Sequence, residues 1–338
     1  MESLEPVPGT GASAVRDGAP QPARRGSRAP WTATRAALRS VGRELVPLAS
    51  LHGLRGAAVE AAWVSAHLAI YPLGLLGERP AAVSRYHLEG LDPVQRGLVV
   101  GDVEAAGTPI LLVHGMADNR AIFTVLRRRL RRRGFDRVRT VNYSPVTNDI
   151  RQAARRLAEE VEALVAESGH ERVHVVGHSL GGLIARYYVQ CLGGDERVHT
   201  LVTLGSPHAG SLHAHLLPVR VCRQLRRGSD LYEELEAPAP GCRTRFVAFW
   251  SDLDQLILPR DSARLDHPDL GARNVLVRGV GHMSIPVDRR VVHEISIMLS
   301  QLDAEGGTVT AGVTSLLDET APGRAPRQPQ DQSFSTGA

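Results

Sequence analysis

A serine hydroxyl is a weak nucleophile at neutral pH unless a base takes its proton as it attacks. Within the 338-residue chain, Ser179 stands where that could happen. It occupies Gly177-His178-Ser179-Leu180-Gly181-Gly182, between the apolar run Val173-His174-Val175-Val176 and the helical pattern Leu183-Ile184-Ala185-Arg186-Tyr187-Tyr188. A G-x-S-x-G that ends a strand and opens a helix predicts a turn so sharp that the serine is strained and its hydroxyl stands off the sheet edge. Gly177 and Gly181 fit a place where strand and helix come too close for a Cβ. The helix begins beneath the hydroxyl, so its free N–H groups and positive dipole end face any oxyanion formed there.

The base should be an imidazole oriented by a carboxylate, both on loops at the carboxyl ends of later strands. Of 14 histidines, His282 is best placed: it ends Gly279-Val280-Gly281-His282, directly after an apolar strand pattern. His293, inside the closing helix, is the second candidate. Asp252 and Asp254 both qualify as the carboxylate by following the strand that ends near Trp250. Asp254 is favoured because it leads into Leu256-Ile257, an apolar segment that would wall it from water. The oxyanion donors expected are the N–H of Leu180 and that of Met116, in the loop Val113-His114-Gly115-Met116-Ala117-Asp118. His178 should point away from the hydroxyl and serve the structure. His208, His213 and His215 cluster, but no acidic residue sits near them at ligand spacing, so neither a metal nor another cofactor is expected.

Strand and helix patterns alternate through the elements that must position these groups. Gly97-Leu98-Val99-Val100, Ile110-Leu111-Leu112-Val113 and Arg137-Val138-Arg139-Thr140-Val141 read as strands. A helix carries Ile122, Phe123, Leu126 and Leu130 on one face and the run Arg127 to Arg133 on its solvated side. The clearest helix has the stripe Ile150, Ala153, Ala154, Leu157, Val161, Leu164 and Val165, with Asn148 as cap, Gly169 as stop, and Arg155–Glu159 and Arg156–Glu160 spaced to pair. Val198–Leu204, Arg245–Trp250 and Asn274–Arg278 continue the strands, and a helix around Val291, Ile295 and Met298 closes the series. Continuous apolar strands alternating with helices predict a mostly parallel sheet covered on both faces. The alternation lapses between Ser206 and Cys242, where short amphipathic helices, one opened by a capping box at Asp230 to Glu233, predict a cap that walls an apolar acyl pocket.

Residues 1–30 and 303–338 read as disordered, 31–84 as a helical N-terminal extension, and 85–302 as the α/β domain, with the insertion at about 206–242. The apolar stretch from Ala61 to Leu76 is shorter than a membrane span needs and carries His67 and Pro72, so a helix packed on the domain is expected. No signal peptide is evident in 1–30, which points to a cytoplasmic protein with scope for peripheral membrane contact. The net charge of +4 comes with 40 basic residues and not one lysine. An all-arginine, Ala/Gly/Pro-rich composition is what GC-rich coding gives, and no nucleic-acid partner is inferred from it. Cys191 fits a core position, while Cys222 and Cys242 bracket the insertion and could close it.

Together, Val113-His114-Gly115-Met116, the Ser179 motif, Leu204-Gly205-Ser206-Pro207-His208-Ala209-Gly210-Ser211, Asp254–Pro259 and Gly281-His282 resemble the bacterial triacylglycerol lipase/esterase branch of the α/β-hydrolases, which is similar to GPI-inositol-deacylase-like hydrolases. The resemblance covers about 85–302. It implies an α/β-hydrolase fold, the triad Ser179, Asp254 and His282, oxyanion donors Met116 and Leu180, and ester hydrolysis through an acyl-serine; the apolar insertion points to medium- to long-chain acyl esters as its substrates. An acyltransferase or thioesterase would share the constellation, and a non-catalytic lipid- or partner-binding homologue is a third reading. The N-terminal extension lies outside the motif set, and the oligomeric state is left open.

Overall fold

The computed structural model describes residues 50–75, 107–116, 118–141, 143, 149–299 and 312–316. Among these residues, seven strands pair in one sheet: β1 (Ile110–Val113), β2 (Val138–Val141), β3 (Val173–His178), β4 (Val198–Leu204), β5 (Arg245–Ser251), β6 (Arg273–Val277) and β7 (Gly312–Leu316). Their order is β2-β1-β3-β4-β5-β6-β7, and every pairing is parallel. The helices are α1 (Leu51–Leu75), α2 (Thr124–Arg132), α3 (Ile150–Ser168), α4 (Leu180–Cys191), α5 (Arg220–Gln224), α6 (Asp230–Leu235) and α7 (Arg289–Leu299).

Side chains along a strand alternate between faces, and both faces of this sheet are covered. In β1, Leu111 and Val113 join the cluster built with α3 and α4. Ile110 and Leu112 join the opposite cluster, with α2 and α7. The sequence shows this directly as uninterrupted apolar runs. β2 and β3 flank β1 on opposite sides, so the loops leaving β1 and β3 diverge and open a crevice at their carboxyl ends.

The helices follow their apolar stripes. On α2, Leu126 and Leu130 are fully buried, as are Ile122 and Phe123 in the preceding 3-10 turn, while the arginines line the outer side. On α3 the expected stripe is buried except for Val165, which is half-buried, and Gly169 ends the helix at φ 73°. The cap is Asp149, whose carboxylate accepts the N–H groups of Arg151 and Gln152; Asn148 lies outside the described residues. The charged face of α3 pairs outward across the surface, Arg151 with Glu234 and Glu162 with Arg197, in place of the expected pairs along the helix.

The insertion differs from the expectation in its packing. Val221, Cys222, Leu225, Leu231, Tyr232 and Leu235 are buried in the cluster shared with α3 and α4. Arg186 of α4 donates to the carbonyls of His208 and Leu235, and burial lowers its pKa to about 10. No capping box forms on α6: its N-cap is Ser229, and that hydroxyl donates back to the carbonyl of Gln224. All three cysteines are free thiols, so Cys222 and Cys242 do not close the loop.

Gly312–Leu316, within the stretch read as a disordered tail, pairs with β6 as an edge strand. The short run Gly-Val-Thr-Ser-Leu has β-branched residues but lies among Gly, Pro and Gln, which hid it. The expected strand at Gly97–Val100, the segment 1–30 and the remainder of the tail lie outside the described residues. Among the described residues, no helix is long and apolar enough to cross a membrane. Of the Ala61–Leu76 stretch, the described part, through Leu75, instead forms the second half of α1, which belongs to the same compact unit as the sheet, Gly42–Ala338.

Candidate active site

Ser179 sits between β3 and α4 with φ 53° and ψ −124°, the one described non-glycine residue at positive φ. Such a backbone persists only where its surroundings impose it. Here the N–H of Ser179 donates to the carbonyl of Leu204 at 2.9 Å, tying the turn to the end of β4. A Cβ on Gly177 would lie 2.4 Å from the Cα of Gly182, and one on Gly181 would lie 2.2 Å from the carbonyl oxygen of Val113. Both glycines are therefore steric requirements, the first between strand and helix, the second between the helix and β1. Leu180 opens α4, where the first N–H groups lack intrahelical acceptors.

The loop after β1 folds over this turn. Gly115 brings the backbone so close that a Cβ there would stand 3.0 Å from the Cβ of Ser179. His114 donates to the Gly115 carbonyl and stacks on Tyr143, whose hydroxyl donates to the His114 carbonyl. Met116 follows and is 41% exposed at the mouth of the cavity.

Asp254 and His282 meet beside it. His282 Nδ1–H donates to Asp254 Oδ2 at 2.7 Å, with both side chains essentially sealed from solvent. The other oxygen of Asp254 accepts the N–H groups of Leu256 and Ile257, each at 2.8 Å. The segment after Asp254 thus holds the carboxylate by its amides, while the Leu256 side chain is half exposed. Asp252 is engaged elsewhere, accepting the N–H of Gly279 at 2.8 Å. His293 takes a hydrogen bond from Arg133 at 2.8 Å on the α2–α7 surface. Gly205, at φ 57°, leaves room for the pair: a Cβ there would lie 3.1 Å from both Asp254 Oδ2 and His282 Nδ1.

Charge around the imidazole favours its protonated form. Burial alone would lower the pKa of His282, but Asp254, by charge and by hydrogen bond, and then Glu60 and Asp118, raise it above the ordinary histidine value. His178 lies at 4.8 Å from His282, ring to ring, and donates from Nε2 to the His282 carbonyl at 3.2 Å. Burial depresses its pKa to about 3, so it stays neutral and serves as a brace for the histidine turn. Of the clustered histidines, His208 bonds Thr203 at 2.9 Å and His213 bonds the Leu256 carbonyl at 2.9 Å.

A cavity of about 390 Å³ joins Ser179, His282, Gly115, Met116 and His178. None of its lining residues comes from the insertion; the apolar wall is Val64, Leu68 and Tyr71 of α1, with Met116, Leu256 and Met283. Sequence reasoning assigned the acyl wall to 206–242 and passed over α1. The signal was available as the line Gly56, Glu60, Val64, His67, Tyr71 and Gly74, which recurs every three or four residues.

Comparison with known proteins shows the fold. A family model described as palmitoyl protein thioesterase matches residues 109–238, from β1 through the serine turn to the end of α6. The mature form of the Bacillus licheniformis lipase BlEst2 superposes with a TM-score of 0.51 at 16% identity, over 58% of this chain and 93% of that one. Its propeptide form gives 0.50 at 17% identity, over 61% of this chain and 53% of that one.

Proposed function

We propose that this chain, whose fold is that of the α/β-hydrolases, is a serine hydrolase cleaving acyl esters through an acyl-Ser179 intermediate. The observation that carries the reading is the 2.7 Å bond between His282 and Asp254, in the same cavity as a serine held at φ 53° over a helix start. Neutral His282 takes the Ser179 proton at Nε2 as Oγ bonds to the ester carbonyl carbon. The resulting oxyanion faces the N–H groups of Leu180 and Met116. His282 then passes its proton to the departing alkoxide, leaving the acyl-enzyme. A water enters, gives its proton to His282, and displaces Ser179, which recovers that proton. Asp254 stays ionised throughout and fixes the imidazole with Nε2 toward the serine.

The wall of Val64, Leu68, Tyr71 and Leu256 supports acyl groups of medium to long chain. Met116 and Leu256 at the mouth, with exposed Leu212, Leu216, Leu217 and Val219 on the insertion, support entry from an apolar surface and peripheral contact with lipid. The match to a palmitoyl protein thioesterase family model favours a second reading, in which the leaving group is a thiolate on the same acyl-serine route.

A fluorophosphonate probe is expected to label the protein, and Ser179→Ala to abolish both labelling and turnover. Matched p-nitrophenyl esters and acyl-coenzyme A thioesters, from two to sixteen carbons, separate the oxygen and sulfur readings. Absence of labelling in the intact protein would overturn the enzymatic reading, and activity confined to acetyl esters would overturn the acyl-pocket assignment.

A further inference from the structure

The side chain that grips the turn carrying His282 comes from α1. Glu60 Oε1 accepts the N–H of Met283 at 2.7 Å, and Oε2 accepts the N–H of Ser284 at 3.0 Å and its hydroxyl at 2.6 Å. Those amides open the 3-10 helix His282–Val287, so the carboxylate occupies its N-terminal cap. The fit leaves no slack: a Cβ on Gly281 would lie 2.3 Å from Glu60 Cδ.

Three further contacts make the grip directional. At Gly56 a Cβ would stand 2.6 Å from the Gly279 carbonyl oxygen and 2.5 Å from Leu253 Cδ1, so α1 lies close against both the histidine loop and the acid loop. One to two turns beyond Glu60, His67 Nε2–H donates to Asp118 Oδ1 at 2.9 Å, in a pair almost sealed from water. Asn119 donates to the Tyr71 carbonyl at 3.0 Å. α1 therefore spans from the turn that holds His282 to the loop that holds Met116.

We propose that Glu60 is a positioning residue for the general base. Its carboxylate fixes the 282–284 turn, so that His282 reaches Ser179, and α1 sets the separation of the histidine and oxyanion loops. This rests on the serine-hydrolase reading above. The charged or titratable groups facing His282 are Asp254 from the acid loop, His178 from the serine turn, Asp118 from the loop after β1 and Glu60 from α1. Removing the Glu60 charge takes away one contribution that raises the His282 pKa. Because the base acts when neutral, the acid limb of kcat/KM then moves to lower pH.

The test compares Glu60→Gln, Glu60→Asp and Glu60→Ala with the intact chain, using a soluble p-nitrophenyl ester and fluorophosphonate labelling. Glu60→Gln is nearly isosteric but cannot accept from both amides, and it is expected to lose kcat by roughly 10-fold with KM within about twofold. Its acid limb shifts down. Glu60→Asp keeps the charge and shortens the reach, so kcat falls while the acid limb stays near its original place. Glu60→Ala is expected to cost on the order of 100-fold in kcat, with near-ultraviolet circular dichroism checking its fold. Labelling of the intact chain together with unchanged kcat and acid limb in Glu60→Gln would overturn the positioning role alone. A kcat loss that tracks lost structure, with the acid limb fixed in all three variants, would do the same. No labelling of the intact chain would remove the hydrolase reading and this inference with it.

Discussion

Two long helices of this protein carry the same kind of periodicity and attach to the body in opposite ways. α3 presents Ile150, Ala153, Ala154, Leu157, Val161 and Leu164 inward, and all are buried. Its attachment is apolar area withdrawn from water, worth about 25 cal/mol per Å². α1 turns Leu51, Leu54, Val59 and Leu68 outward and keeps Gly56, His67 and Gly74 buried. It is held by backbone approach at two glycines and by the Glu60 and His67 hydrogen bonds. Apolar area sets stability without fixing direction, whereas a hydrogen-bonded clamp fixes where two loops sit. Hence α3 belongs to the fold, and α1 belongs to the site.

The largest effect that tests this contrast is on α3. Leu157 is 2% exposed, so Leu157→Ala is expected to cost about 2–5 kcal/mol in urea unfolding. Turnover per labelled serine should remain within about twofold, because Leu157 does not line the cavity. The mirror experiment is Gly56→Val on α1. The added carbons meet the Gly279 backbone, which cannot yield as a side-chain end can. kcat is expected to fall by roughly 10-fold or more, with a stability loss of about 1–3 kcal/mol, below that of Leu157→Ala. Equal stability losses with equal turnover in the two variants would erase the distinction between the helices.

The sequence disclosed α3 because its inward residues are apolar and nothing else competes for that face. It disclosed Ser179 and His282 because glycines flank both at places where a chain must turn sharply. Choosing Asp254 over Asp252 by local context reached the residue that bonds the imidazole, although by an incomplete reason: the amides of Leu256 and Ile257 hold it, and no hydropathy pattern encodes amide direction. α1 was harder to read. Its inward line is glycine, carboxylate and imidazole, which scores as polar, so counting apolar residues does not single that face out. The insertion misled in the opposite sense. Its leucines and valines predicted an acyl wall, yet half of them pack α5 and α6 onto α4, and the others stay exposed outside the cavity.

A smaller effect separates the two ends of α1. Asp118 lies in the loop after β1, takes the His67 hydrogen bond, and stands 3.9 Å from His178. Burial favours its neutral form, but the hydrogen bonds from His67 and from the N–H of Asn119 hold its pKa below the ordinary carboxylate value. It is ionised at neutral pH and contributes to raising the His282 pKa, after Asp254 and Glu60. Asp118→Asn should therefore shift the acid limb of kcat/KM to lower pH by less than Glu60→Gln does. A larger shift would place the decisive charge on the oxyanion side and reverse the ranking of the two clamps.

The smallest effect decides which element walls the acyl chain. Leu68 is 65% exposed yet lines the cavity, and Leu217 is 54% exposed on the insertion without lining it. Both sites lie near enough to solvent that a serine there should alter stability by no more than about 0.5 kcal/mol. A partly exposed leucine offers a bound chain only part of its apolar surface, about 0.5–1 kcal/mol of contact by area. Leu68→Ser is then expected to lower kcat/KM for decanoyl esters about two- to fivefold relative to acetyl esters, the conversion of that energy into a rate ratio. Leu217→Ser should leave the same ratio unchanged. If the ratio instead responds to Leu217→Ser and ignores Leu68→Ser, the insertion must move over the cavity when substrate arrives. α1 would then position the loops without shaping the pocket, and the two duties assigned to it would separate.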